Sequence, residues 1–275
     1  MSFLIFSDLD GTLLSYENYS FNEAIKALNC IKENNIPLVL ATSKTFKESI
    51  EILKDMGLNE PFIVENGGGI FFPYIYRGNT IYFGEPFDNY RSLCIGIKRE
   101  AILNFVKIIK NCGFKIKLYS EFSVDELTKY TGLTKENVKK SLDRQFSEPF
   151  IFLDKDESKL PLLIERARSQ NIKILKGGRF YHLVGIEQDK GKAIKITQKY
   201  IEELMSKEFI TIGIGDSQND VDMFKVVDIP VLVKKYDGSY ENININKILR
   251  SNFIGPAGFN EMILKLLNCK GGYDG

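Results

Sequence analysis

The sequence predicts an α/β fold: a doubly wound, Rossmann-like core on a parallel sheet, with an α+β domain inserted into it. Three observations carry this. Apolar stretches of strand length alternate with segments of helical periodicity at both ends of the chain. Key strands run out into polar loops: FLIF into SDLDGT, PLVLA into TSKT and, towards the other end, FITIGIG into DSQND. Roughly one hundred residues separate Phe83 from His182, far more than a normal connection within one sheet, and an inserted domain explains the gap.

Phe3 to Phe6 reads as the first strand and Asn22 to Glu33 as the helix after it, because Ala24, Ile25, Leu28 and Ile31 recur at three- and four-residue spacing and mark one buried face. Pro37 to Ala41 completes a β-α-β unit ending at Thr42. Thr45 and Glu48 fit a capping box at the start of a helix from Phe46 to Met56, and Gly57 fits its stop. PFIVENGGG is a further strand closing in a glycine turn. The insert offers LCIGI as a strand, a helix carrying Ile102, Phe105, Val106 and Ile109, FKIKLY as a strand, two short helices in VDELTKYTGL and KENVKKSLDRQF, and strands in FIFL and IKILKGGRFYHLVG. The core then resumes with the helix GKAIKITQKYIEELM, the strand FITIGIGD, the short helix VDMFKVV and the strand IPVLV. The expected division is core over residues 1–83, α+β insert over 84–182 and core again over 183–275, with the tail CKGGYDG frayed.

With 37 Lys+Arg against 36 Asp+Glu, the net charge of +1 gives no global field for nucleic acid or an anionic membrane, so an anion site must be local and the expected partner is a small molecule. The four cysteines show neither C-x-x-C spacing nor a dense framework; they indicate no zinc site and no disulfide scaffold, and fit a reducing cytoplasm. Neither a signal-peptide pattern nor an apolar run of membrane-spanning length is present, which points to a soluble, cytoplasmic protein.

The chemistry gathers at strand ends. Asp8 and Asp10 are two apart, so in extended backbone both carboxylates point to one space, and Gly11 permits a sharp exit. They sit beyond the carboxyl end of a strand, where open α/β sheets bind ligands. A bound divalent cation would remove their repulsion, and an all-oxygen donor set favours Mg²⁺; a plain turn and cap is the other use of such a stretch. Asp216, Asn219 and Asp220 form a second acidic cluster after the late strand, although Asp220 also suits a helix N-terminus. Thr42 suits either a phosphate oxygen or a helix cap, the latter shared with Ser43. Lys190, just before a helix, can pair with phosphate and with Asp8 or be solvated.

Taken in order, the strand-end aspartate pair, the strand-end Thr, the Lys before Gly and the late GD-x-x-x-D resemble the four motifs of the haloacid dehalogenase superfamily. The place of the insert, between the second and third motifs, resembles the α+β cap of its sugar-phosphatase subgroup. The resemblance implies a Mg²⁺-dependent phosphatase in which Asp8 is the nucleophile and a metal ligand. It implies that Asp10 is general acid and base and binds metal through its carbonyl, that Asp216 is the other ligand, and that Asn219 and Asp220 support the site. Thr42 and Lys190 then hold the phosphoryl oxygens. Thr42 stands where Ser is frequent in similar proteins, and both supply a hydroxyl.

ATSKT, LTKYTGLTKENVKKSLDRQFSEPF and GGRFYHLVG are most similar to the mannosyl-3-phosphoglycerate phosphatase family. That implies hydrolysis of mannosyl-3-phosphoglycerate or its glucosyl analogue. Arg179 and Arg144 suit the substrate carboxylate, with His182, Ser43, Lys44, Ser147, and Glu65 and Asn66 of ENGGG as further substrate contacts. Arg144, Ser147 and Glu148 equally suit locking the cap's own fold, Lys44 a solvated helix start, and His182 a structural site. The rival functions are a broader phosphatase for sucrose phosphate or hexose phosphates and a non-catalytic sugar-phosphate binding protein.

Overall fold

The computed structural model describes residues 2–153, 157–177 and 179–269. The first part of the chain forms β1 (Phe3–Ser7), α1 (Ile25–Glu33), β2 (Leu38–Ala41), α2 (Phe46–Asp55), β3 (Phe62–Val64), β4 (Gly69–Pro73), the small hairpin β5 (Ile75–Tyr76) and β6 (Asn79–Thr80), then β7 (Glu85–Phe87) and β8 (Tyr90–Cys94). The middle forms α3 (Arg99–Asn111), β9 (Ile116–Leu118), α4 (Val124–Thr131), α5 (Lys135–Ser141), β10 (Ser147–Phe152), α6 (Leu160–Arg168), β11 (Ile172–Lys176) and β12 (Tyr181–Gly185). The last part forms α7 (Lys190–Met205), β13 (Ile210–Gly215), α8 (Val221–Phe224), β14 (Ile229–Lys234), β15 (Leu249–Ile254) and α9 (Gly255–Leu266).

The core is a nine-stranded sheet in the order β15-β14-β13-β1-β2-β3-β4-β8-β7. Pairing is parallel from β15 to β3 and antiparallel from β3 to β7. Helices cover both faces, so the central strands read as continuous apolar runs rather than alternating ones. Ile5 packs on one side with Leu28, Phe46 and Phe259, while Leu4 and Phe6 pack on the other with Ile194, Ile201 and Met223. The capping box is present: Thr45 Oγ1 accepts from Glu48 N at 3.3 Å, and Glu48 Oε2 accepts from Thr45 N at 2.9 Å.

The insert builds its own antiparallel sheet, β11-β12-β10-β9. Ile102, Phe105 and Ile109 of α3 and Leu163 of α6 pack on one face of it, and Leu127 of α4 and Val138 of α5 form a smaller cluster with Tyr119 and Phe180. The expected boundary at residue 84 falls too early. β8 pairs antiparallel with β4 and β7 pairs with β8, so residues 85–94 widen the core sheet, and the stretch LCIGI supplies the end of β8 rather than a cap strand. Antiparallel returns need no crossover, so connection length is blind to them. The strand β15 is absent from the sequence reading for a related reason: it is an edge strand with only Ser251 buried and shows no apolar alternation. The tail beyond Cys269 lies outside the described residues.

Cys30 at the end of α1 is disulfide-bonded to Cys269, with a Cα separation of 6.4 Å, while Cys94 and Cys112 are free. This corrects the cysteine expectation: a pairing across 239 residues leaves no local spacing signature. Among the described residues no helix is long and apolar enough to cross a membrane. Thiol titration in denaturant should find two reactive thiols before reduction and four after it; four in both states would show the pair unbonded.

Candidate active site

The site is assembled at the carboxyl edge of the parallel strands. The ladder between β1 and β13 persists one residue past β1, with Asp8 N donating to Ile214 O at 2.8 Å, and this fixes the Asp8 backbone before the chain turns away. Gly11 adopts φ +80°, and a Cβ there would stand 2.7 Å from Asp216 Oδ2. The loops after β1 and β13 are therefore in contact, and only glycine fits between them.

Lys190, the first residue of α7, joins these loops. Its helix is capped by Asp189, whose Oδ1 accepts from Lys192 N at 2.8 Å. The Lys190 side chain is 1% exposed and its Nζ stands 2.7 Å from Asp8 Oδ1 and 2.7 Å from Asp220 Oδ1. Asp220 is fully buried, and its second oxygen accepts from the backbone N–H of Asp216 and Ser217 at 3.1 and 3.2 Å. Asp220 thus ties the lysine to the loop that carries Asp216.

Asp8, Asp216 and Asp220 each present an oxygen within 4.8 Å of the others. Burial, with Asp220 alongside, pushes the Asp8 carboxyl up to about 7 against the opposing pull of Lys190. Burial, then Asp220 and Asp8, raises Asp216 well above the usual carboxylate range. Asp216 Oδ1 is buried without a hydrogen-bond partner. An acidic cluster with an orphaned buried oxygen and an all-oxygen donor set fits a hard divalent cation, which would supply the missing positive charge.

Asp10 has a separate partner. Its Oδ1 stands 2.8 Å from the buried Lys44 Nζ, and its side chain is 37% exposed. Burial disfavours the charged lysine, but Asp10 and then Glu48 outweigh it and raise the Lys44 pKa. The two aspartates of the DLDGT motif therefore each have their own lysine. Thr42, fully buried at the end of β2, accepts from Lys44 N at 3.1 Å through its hydroxyl.

The cap reaches this loop. Arg144 Nη1 donates to Ser43 O at 3.2 Å and to Ser147 Oγ at 3.0 Å. Arg144 Nε and His182 Nδ1 are buried without partners. Burial, followed by the charge of Arg144, lowers His182 to about 3, so its ring is neutral. Arg179 reaches the margin of this site through tyrosines: its guanidinium sits 5.2 Å from the Tyr16 ring centroid and is hydrogen-bonded to Tyr19, the ring that lies against Lys44, while Nη1 donates to Thr131 O at 2.6 Å. Glu65 is taken up by the cap, accepting from Gln145 N, Phe146 N and Ser147 Oγ at 2.8, 3.1 and 2.5 Å. Asn66 Oδ1 accepts from Asn219 Nδ2 at 3.4 Å, joining the ENGGG turn to the second acidic loop.

Three features escaped the sequence reading. The Thr12 hydroxyl, two residues after Asp10 in the chain, is buried without a partner, and its signal was its place in DLDGT. Tyr19, at φ 58°, lies 4.9 Å from Lys44 Nζ across its ring, and Tyr16 stacks on Tyr236 at 4.5 Å. Gln188 is fully buried and donates to the Glu65 carbonyl. No pattern in the sequence marks the last two.

A family model described as haloacid dehalogenase-like hydrolase matches residues 5–244. The chain belongs to this family. A glucosyl-3-phosphoglycerate/mannosyl-3-phosphoglycerate phosphatase of Persephonella marina is 43% identical over 265 residues, covering 96% of this chain and 97% of the relative. A protein of the same name from Methanococcoides burtonii is 37% identical over 270 residues, covering 97% and 98%. Among solved structures, a haloalkanoate-superfamily phosphatase of Bacteroides thetaiotaomicron matches with a TM-score of 0.67 at 16% identity, covering 98% of this chain and 96% of that one. The sucrose-phosphatase of Synechocystis matches at 0.58 and 15%, covering 98% and 99%. These two share the fold of this haloacid dehalogenase-like hydrolase.

Because His182 falls from 6.5 to about 3 on folding, the unfolded chain binds more protons there below about pH 6.5, so stability is lost as pH drops into that window. His182→Gln should shrink the loss between pH 7.5 and pH 5 by about 1–2 kcal/mol in denaturant unfolding; an unchanged pH slope would show that the ring is protonated in the folded protein.

Proposed function

We propose that this protein is a Mg²⁺-dependent phosphatase that hydrolyses mannosyl-3-phosphoglycerate, or its glucosyl analogue, to the glycosylglycerate and inorganic phosphate. The observation that carries the chemistry is the buried Asp8 carboxylate at the end of β1, held by Lys190 at 2.7 Å and backed by Asp216 and Asp220. The substrate class is supported by the two near-full-length relatives of that name and by the unpartnered Arg144 Nε and His182 Nδ1 of the cap.

In this reading Asp8 attacks phosphorus, the bond from phosphorus to the glycerate oxygen breaks, and an aspartyl-phosphate forms. Asp10 gives a proton to the departing oxygen. It then takes one from the water that attacks the phosphorus of the intermediate, which frees Asp8 and releases phosphate. Lys190 and the Thr42 hydroxyl hold phosphoryl oxygens at fixed positions, so donors need not reorganise as charge spreads. Asp8 and Asp216, with the Asp10 carbonyl, would hold Mg²⁺, which supplies positive charge to the transferring phosphoryl group. Asn219 and Asp220 keep this loop in register. Arg144 and His182 meet the glycerate carboxylate and neighbouring sugar oxygens, with Ser43 and Lys44 on the core side and Arg179 at the cap margin. The substrate is a small diffusible ester in the cytoplasm; nucleic acid and membrane have no part in it.

On a panel of phosphate esters, kcat/KM for the glycosyl-phosphoglycerates should exceed that for hexose phosphates and sucrose phosphate by about 100-fold or more, as expected when a buried polar site is left unpaired by the wrong substrate. Equal values across the panel would assign the protein to a broad sugar phosphatase instead. Asp10→Asn should lower kcat by about 10²–10⁴-fold with little change in KM, since its proton transfers occur during reaction. Retained kcat would remove Asp10 from that role.

A further inference from the structure

We infer that Glu65 is a positioning residue for substrate recognition: through Ser147 it holds Arg144 over the loop that ends β2. This rests on the reading above, in which Arg144 meets the glycerate carboxylate. Glu65 and Asn66 follow β3 with φ of 49° and 58°, a left-handed pair that non-glycine residues adopt only where surroundings enforce it. The enforcement is visible. Glu65 N donates to Lys44 O at 2.9 Å and Asn66 N to Thr42 O at 2.8 Å, so the turn is sewn to the loop carrying Thr42, Ser43 and Lys44. The next residue, Gly67, has φ +90°, and a Cβ there would lie 2.4 Å from Asp189 O, so the turn also abuts the segment that presents Lys190.

From this rigid seat the Glu65 carboxylate crosses into the cap. It is 1% exposed and takes three donors from one short segment, Gln145 N, Phe146 N and Ser147 Oγ. A buried carboxylate is tolerable only when so satisfied, and each donor would be stranded without it. Ser147 Oγ donates to Glu65 and accepts from Arg144 Nη1, which itself also reaches Ser43 O. The relay Arg144, Ser147, Glu65 therefore begins and ends on the core loops around the site. Glu148, one residue on, shows what ordinary cap cohesion looks like: its partners are Arg99 and Ser120 N, both within the cap. Gln188, on the return from cap to core, donates to the Glu65 carbonyl, and the outgoing segment bonds the same turn three residues on, with Ile95 N and Gly96 N donating to Gly68 O at 2.9 Å each.

The test compares Glu65→Gln and Ser147→Ala with Arg144→Ala and Glu148→Gln, reading kcat/KM on mannosyl-3-phosphoglycerate and on p-nitrophenyl phosphate, together with thermal midpoints. Glu65→Gln should lower the ratio of the two kcat/KM values by about 30-fold or more, mainly through KM on the phosphoglycerate ester, because what is misplaced is a ground-state grip. Ser147→Ala should shift the ratio the same way, and it carries the test alone if Glu65→Gln does not fold. Glu148→Gln should lower the midpoint and leave the ratio at its wild-type value. A wild-type ratio in Glu65→Gln or in a folded Ser147→Ala, with the ratio collapsed in Arg144→Ala, overturns this inference and leaves the reading of Arg144 intact. A wild-type ratio in Arg144→Ala overturns that reading, and the role of Glu65 with it.

Discussion

The structure depends most on one buried ammonium group. Lys190 is almost without solvent contact and bonds two carboxylates, Asp8 and Asp220, that arrive on different strands of the sheet. Burying Asp8 and Asp220, with the half-buried Asp216 beside them, would be costly without compensation. One lysine does not compensate for all three, and the upward shifts of Asp8 and Asp216 record the deficit. That deficit is the physical reason a hard divalent cation would fit this edge of the sheet.

The topology explains how the parts arrive together. Parallel strands β1, β2 and β13 end at the same edge of the sheet, each followed by a loop that carries polar side chains: Asp8 and Asp10, Thr42 to Lys44, and Asp216 to Asp220. Helix α7 starts at that edge and contributes Lys190. The cap is threaded into the chain between β8 and α7, and these contacts with the core fall on the loop after β2 and the turn after β3: Arg144 on Ser43, residues 145–147 on Glu65, and Lys140 O accepting from Thr45 Oγ1. Cap side chains thereby meet the strand-end loops of the core without sharing an element with them.

Much of this was legible in the sequence because strand-end chemistry is local. SDLDGT, DKGKA and GDSQND each carry their residues within a few positions of a recognisable strand or helix start, and the structure brings Asp8, Lys190, Asp216 and Asp220 together. What was not legible is long-range. Strands β7 and β8 join the core by antiparallel pairing that no connection length announces, and β15 is an exposed edge without alternation. Glu65 looks in sequence like a turn residue facing the site, and only tertiary contacts show its carboxylate given to backbone donors about eighty residues away. The same holds for Arg179, whose guanidinium stands against Tyr16 and the Thr131 carbonyl, and for Cys30 and Cys269, paired from opposite ends of the chain.

The most direct measurement is rapid acid quench during turnover, followed by peptide mass analysis. A transient phosphoryl group on the peptide containing Asp8, formed and lost at rates that support kcat, is the expected result. Turnover at full rate with that peptide unlabelled, or with the label on another carboxylate, would contradict a mechanism built on the aspartate at the end of β1.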